Sequence, residues 1–175
     1  MVSVLDAKGH LVTDDPSAIK RACQRAGIHI GTWPMEYFND LDGASLLSSP
    51  DLQHLALEAV EGPLTELKQR FAYRYEDIVG LNPQTPKISE ILKAFRQEHH
   101  HTDDEVRVVL YGAGIFGFVP QDGEPFELLV QEGDWIVVPA YTRHYFYLSP
   151  ELTIIALRVF KDTPQWRAIY EPRLP

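Results

Sequence analysis

The stretch from Glu98 to Val119, EHHHTDDEVRVVLYGAGIFGFV, decides the fold. It opens on three histidines, and on an extended strand residues i and i+2 share a face. His99 and His101 therefore point one way and His100 the other. A short polar turn, Thr102-Asp103-Asp104, then returns Glu105 towards the same side. Beyond it the chain becomes apolar and β-branched from Val106 to Leu110, meets Gly112-Ala113-Gly114, and continues from Ile115 to Val119. This pattern predicts two short strands joined by a hairpin turn at the glycines.

Downstream the same rhythm persists. Phe126 to Val130 precedes Glu132-Gly133-Asp134, Trp135 to Val138 precedes Pro139, and Tyr145 to Leu148 and Leu152 to Phe160 follow. Turns every 8–12 residues or so indicate an antiparallel sandwich or barrel. Upstream of residue 98 helical signals dominate. Asp15-Pro16 pairs an N-cap with Pro at the first helical position, and Gly27 is a natural stop. Ser49-Pro50 repeats the start signal, with an expected break at Gly62-Pro63, and Thr85-Pro86 opens a third helix carrying Ile88, Ile91, Leu92 and Phe95 on one face. The expected class is α+β: a single domain with a mostly helical cover over 1–97, a metal-binding β-barrel core over 98–160, and a C-terminal segment over 161–175. A chain of 175 residues is short for two independent cores.

Charge and composition narrow the function. The net charge of −9 argues against nucleic-acid or anionic-membrane partners, which need a basic footprint. No run of about 18 apolar residues is present to span a bilayer, and Met1 to His10 lacks a signal-like apolar core. Cys23 is the only cysteine; it permits no internal disulfide and fits a reducing cytoplasm.

Cysteine being scarce, metal donors are confined mainly to nitrogen and oxygen. His99, His101 and Glu105 share a face, and His144, at the entrance of a late strand after Pro139-Ala140-Tyr141-Thr142-Arg143, is the expected fourth donor. Three imidazoles and a carboxylate suit Fe(II), Ni(II), Mn(II) or Co(II), and positions left open imply catalysis; a closed zinc site would more often use cysteine. His10, His29 and His54 have no partners at ligand spacing and are expected to be structural or exposed.

The spacing His99-x-His101-x3-Glu105-x6-Gly112, followed by Gly133-x5-Pro139-x4-His144, resembles the two signature motifs of the cupin superfamily. Tyr141 stands where many cupins have glycine, and Leu148 replaces the usual asparagine. Within the superfamily the chain resembles the acireductone dioxygenase family through Tyr75-Glu76-Asp77-Ile78, Glu98-His99-x-His101-x2-Asp104-Glu105-Val106-Arg107, Gly112-Ala113-Gly114, Val138-Pro139-Ala140 and Leu157-Arg158-Val159-Phe160. The resemblance implies a jelly-roll barrel with one Fe2+ per chain, or Ni2+ as the alternative, and no nucleic-acid or membrane partner. Its partners would be O2 and the acireductone 1,2-dihydroxy-3-keto-5-methylthiopentene. Iron would yield 4-methylthio-2-oxobutanoate and formate; nickel would yield methylthiopropionate, formate and CO, in methionine salvage. The family also implies a monomer.

For that chemistry Arg107 and Arg158 are candidate catalytic residues, either holding the substrate's negative charge or forming internal ion pairs with Glu98, Asp104 or another carboxylate. Asp104 is a candidate base, or a group orienting a ligand, or a solvated turn residue. Phe95, Phe146 and Trp166 are expected to wall the methylthio tail. Two rivals stand beside this assignment: another cupin metalloenzyme, such as a different dioxygenase or an isomerase, and a non-catalytic ligand-binding cupin.

Overall fold

A computed structural model of the chain describes residues 2–6, 10–38, 43–121, 123–149, 152–162 and 167–170. Among the described residues five α-helices precede residue 98. The first, α1 (Pro16–Arg25), starts where Asp15 accepts hydrogen bonds from the Ser17 and Ala18 N–H groups, and Gly27 follows with φ of 70°. α2 (Gly43–Leu46) is a single turn, α3 (Pro50–Ala59) is capped by Ser49, and α4 (Glu61–Phe71) ends at Ala72. The break expected at Gly62-Pro63 falls instead at Val60, because Pro63 sits in the first turn of α4, where a missing N–H costs nothing. α5 spans Ile88–Phe95.

Eleven strands among the described residues form one antiparallel network. They are β1 (Ser3–Leu5), β2 (Leu11–Thr13), β3 (His29–Thr32), β4 (Tyr75–Leu81), β5 (His99–His100), β6 (Glu105–Phe118), β7 (Phe126–Gln131), β8 (Asp134–Val138), β9 (His144–Leu148), β10 (Ile154–Phe160) and β11 (Ile169–Tyr170). The segment before residue 98 is therefore less purely helical than its capping signals suggest. β1 pairs with β7, β3 with β8, and β4 with β10 over seven residues. Their apolar stretches are short, and they become strands because the barrel offers open edges to pair with.

The central element corrects the expected hairpin. β6 runs 14 residues without interruption through Gly112-Ala113-Gly114. Its first half pairs with β8 and β10, its second half with β7 and β9. Gly112 makes the switch possible: its φ is 75°, and a Cβ there would lie 2.1 Å from the Thr153 carbonyl oxygen. A register shift in the partner strand between Ile155 and Ala156 marks the same kink. The glycines bend a strand between sheets; they do not end it.

Alternation along β6 and β10 then sorts the side chains. Val106, Val108, Leu110, Ile155, Leu157 and Val159 pack outward under α3 and α4, against Ala56, Val60, Leu64 and Leu67. A second core, with Phe116, Phe118, Leu128 and Val138, joins the sheet to Ile19 and Cys23 of α1. The result is an α+β fold with helices outside an antiparallel barrel. Among the described residues no helix is long and apolar enough to cross a membrane.

Candidate metal centre

The four predicted donors meet at one end of the barrel. Glu105 is the first residue of β6, His144 the first of β9, and His99 lies opposite His144 in the β5–β9 pair. His101 follows β5 directly. The turn before β9 is bonded to the histidine segment: Tyr141 N–H donates to the His101 carbonyl at 2.8 Å. Tyr141 takes φ of 64°, the left-handed conformation that glycine adopts without strain. All four donors are at least nine-tenths buried, and the ring of His100, pointing the other way, lies tilted beside that of Tyr141.

Each imidazole is aimed by a backbone carbonyl. Nδ1 of His99 lies 2.7 Å from the Gln97 oxygen, Nδ1 of His101 2.9 Å from that of Arg167, and Nδ1 of His144 2.8 Å from that of Thr142. A carbonyl only accepts, so each Nδ1 carries a ring proton and each Nε2 faces inward, where the neutral ring offers a lone pair. One ligand atom from each ring lies within 4.8 Å of the others. Oε2 of Glu105 stands 2.9 Å from Nε2 of His101 and 3.1 Å from Nε2 of His144.

Lone pairs facing a carboxylate at such distances repel unless a proton or a metal ion lies between them. Donors at right angles on metal bonds of about 2.1 Å would be about 3 Å apart, the spacing of Glu105 Oε2 from His101 and His144. The donor set thus fits a divalent ion that accepts imidazole and carboxylate. Protonation responds to the same crowding. Burial pushes the His99 ring down to about 4. Burial most strongly opposes charge on His101, but the hydrogen bond to Glu105, the Glu105 charge and the Arg167 carbonyl together lift the ring above its ordinary value. Burial would raise the Glu105 carboxyl, yet Arg107, His101 and His144 hold it well below the usual carboxylate range.

Above the donors lies a cavity of about 300 Å³, reached by both candidate arginines. Arg107 Nη2 contacts Glu105 Oε1 at 3.0 Å. Arg158 also lines the cavity, and its guanidinium is gripped by both carboxylate oxygens of Asp77 on β4. Internal pairing and access to a ligand therefore coexist. Neither Glu98 nor Asp104 is the partner: Glu98 pairs with Arg143. Asp77 went unassigned in the sequence because only the β4–β10 pairing brings it opposite Arg158.

Asp104 is a correction. Its carboxylate does not line the cavity and is not placed as a base there. It accepts from Tyr73 Oη (2.9 Å), the Ala140 N–H (3.0 Å) and Lys161 Nζ (2.8 Å). Burial would raise its pKa, but these donors, Lys161 foremost, hold it below the ordinary value. Asp104 thus secures the turn that carries His144. Phe95 and Phe146 do line the cavity, edge to face at 6.3 Å, and Phe146 also packs on Phe116. Gly114 clears space for the Phe146 ring, which would otherwise meet a Cβ at 2.4 Å. Trp166 lies outside the described residues.

Comparison with known proteins agrees with this geometry. Residues 48–168 match the model of the ARD/ARD' family. The acireductone dioxygenase of Bacillus licheniformis is 44% identical over 115 residues, which is 66% of this chain and 64% of that protein, a little under two thirds of its length. That of Sulfurihydrogenibium sp. is 34% identical over 97% of this chain and 94% of its own. A solved acireductone dioxygenase from Bacillus anthracis, with a cadmium ion in its active center, superposes with a TM-score of 0.87 at 28% identity, covering 97% of this chain and 98% of its own.

Proposed function

This chain belongs to the ARD/ARD' family of acireductone dioxygenases, and from that we propose that it cleaves an acireductone oxidatively with O2 at one divalent metal ion. The supporting observation is the convergence of three carbonyl-aimed imidazoles and Glu105 beneath a cavity that holds two arginines. His99, His101, His144 and Glu105 would hold the ion. When bound, it supplies Lewis acidity that favours the doubly deprotonated enediol and so makes it a strong reductant.

The chain's own residues do the rest. Arg107 and Arg158 place two fixed positive charges beside the cavity, suited to an anionic head group. Glu105 and Asp77 fix the direction of those guanidinium groups, so little reorganisation is needed when substrate arrives. Phe95, Phe116 and Phe146 give an apolar wall that excludes water and accepts the methylthio tail. The substrate is 1,2-dihydroxy-3-keto-5-methylthiopentene. Fe(II) is the proposed occupant, giving 4-methylthio-2-oxobutanoate and formate; Ni(II), the alternative, would give methylthiopropionate, formate and CO. The protein works as a cytoplasmic monomer folded as a single cupin-type domain.

The test is direct. Protein loaded with Fe(II) is mixed anaerobically with synthetic acireductone, and O2 is then admitted. The enediol absorbance should disappear catalytically, with formate formed. Absorbance that decays no faster than in a protein-free control contradicts the assignment.

A further inference from the structure

The wall of the cavity is graded. Across β4, β10 and β6 the residues lie in register as Asp77–Arg158–Arg107, then Val79–Ala156–Val109, then Leu81–Ile154–Gly112. Glu105 precedes Arg107 by two residues on the same face of β6, which puts the metal donors beyond the charged end. Moving away from Glu105, the cavity lining on β4 and β10 passes from Arg158 to Val79 and Ala156, then to the bulkier Leu81 and Ile154. Successive rows on one face are about 6.7 Å apart.

Within this gradient Ala156 is singular. Ile154, Ala156 and Arg158 face the cavity, while Ile155, Leu157 and Val159 face the core under α3 and α4. Val79, Leu81 and Ile154 surround Ala156 in the same wall, and Phe116 and Phe146 also line the cavity. Ala156 is buried and opens the middle of a row whose other members are both valine.

We propose that Ala156 is the specificity-determining residue for the substrate tail: it leaves the gap through which the methylthioethyl group passes from the arginine row towards Ile154 and Leu81. This rests on the acireductone assignment above. An enediolate head held at the metal and the arginines places a tail of four heavy atoms, about 5 Å long with bonds of about 1.5 Å or slightly more, alongside this row. A larger side chain at 156 would occupy the tail's volume without touching the head. The smallest one would extend the space available.

The experiment compares Fe(II)-loaded wild type, Ala156→Val and Ala156→Gly. Three acireductones are used: one with the methylthioethyl tail, one with a bare methyl in its place, and one with a tail two carbons longer. Ala156→Val should raise KM for the methylthioethyl substrate about 10- to 30-fold, with kcat changed far less. On the methyl-tailed substrate, which places nothing at this row, the effect should be under about 2-fold, whereas each misplaced methyl or methylene costs about 10-fold or more where the tail passes. Ala156→Gly should raise kcat/KM on the long-tailed substrate about 10-fold. Metal content and Tm are measured alongside, and where the valine variant does not fold the glycine arm decides. An equal loss on both shorter substrates in Ala156→Val, or no gain on the long tail in Ala156→Gly, overturns the role of Ala156 while leaving the dioxygenase assignment standing. Wild type that consumes none of the three overturns both.

Discussion

Replacing His144 with alanine is expected to strip the protein of its metal and abolish turnover. His144 is 2% exposed, its Nδ1–H is fixed by the Thr142 carbonyl, and its Nε2 faces Glu105 Oε2 at 3.1 Å. Apart from His99, which is already a donor, the residues beside it cannot take its place: Phe118 lies opposite on β6 and Phe146 follows two residues on along β9, and neither carries a ligand atom. Loss of a group that merely orients a ligand weakens metal binding about 10- to 100-fold, so loss of the ligand itself should exceed 100-fold. The check is metal content after gel filtration together with acireductone consumption. The folded barrel should survive, because the core under α3 and α4 does not touch this residue. A His144→Ala protein that retains one ion per chain would remove His144 from the donor set.

Arg107→Met should separate substrate binding from metal binding. The guanidinium pairs with Glu105 Oε1 and lines the cavity. Methionine keeps the length and apolar stem but removes the charge and the forked donors. In the loaded protein the ion still compensates Glu105, so metal content should stay close to one per chain. The substrate anion, in contrast, loses a buried counter-charge, an effect of about 3 kcal/mol, or a factor of about 100 in kcat/KM. Lysine should rescue only part of this, since it lacks the planar fork. Loss of metal in Arg107→Met would recast the arginine as scaffolding for Glu105.

The shared face of His99 and His101 was legible in the sequence for a simple reason. Strand alternation alone puts His99 and His101 on one face, and both are buried while His100 is not fully so. The rest depends on long-range pairing that no local pattern carries. Gly112-Ala113-Gly114 has the composition of a turn, yet Gly112 bends a continuous strand because β10 continues alongside it. β4 lies in a stretch dominated by helix caps, so its place beside β10, and with it the Asp77–Arg158 pair, emerged only in three dimensions. Asp104 looked like a candidate base from its place beside Glu105, but adjacent residues of an extended chain point to opposite sides, and Tyr73, Ala140 and Lys161 meet it on the far side. The carbonyls of Gln97, Thr142 and Arg167 that aim the imidazoles are backbone atoms and leave no residue-type signal at all.

The most direct measurement is X-ray absorption at the metal edge of the loaded protein, with the free aqua ion in the same buffer as reference. Three nitrogen scatterers with imidazole ring signatures, and additional oxygen donors, are the expected result. A spectrum with oxygen donors alone, like that of the free ion, would contradict the shared centre.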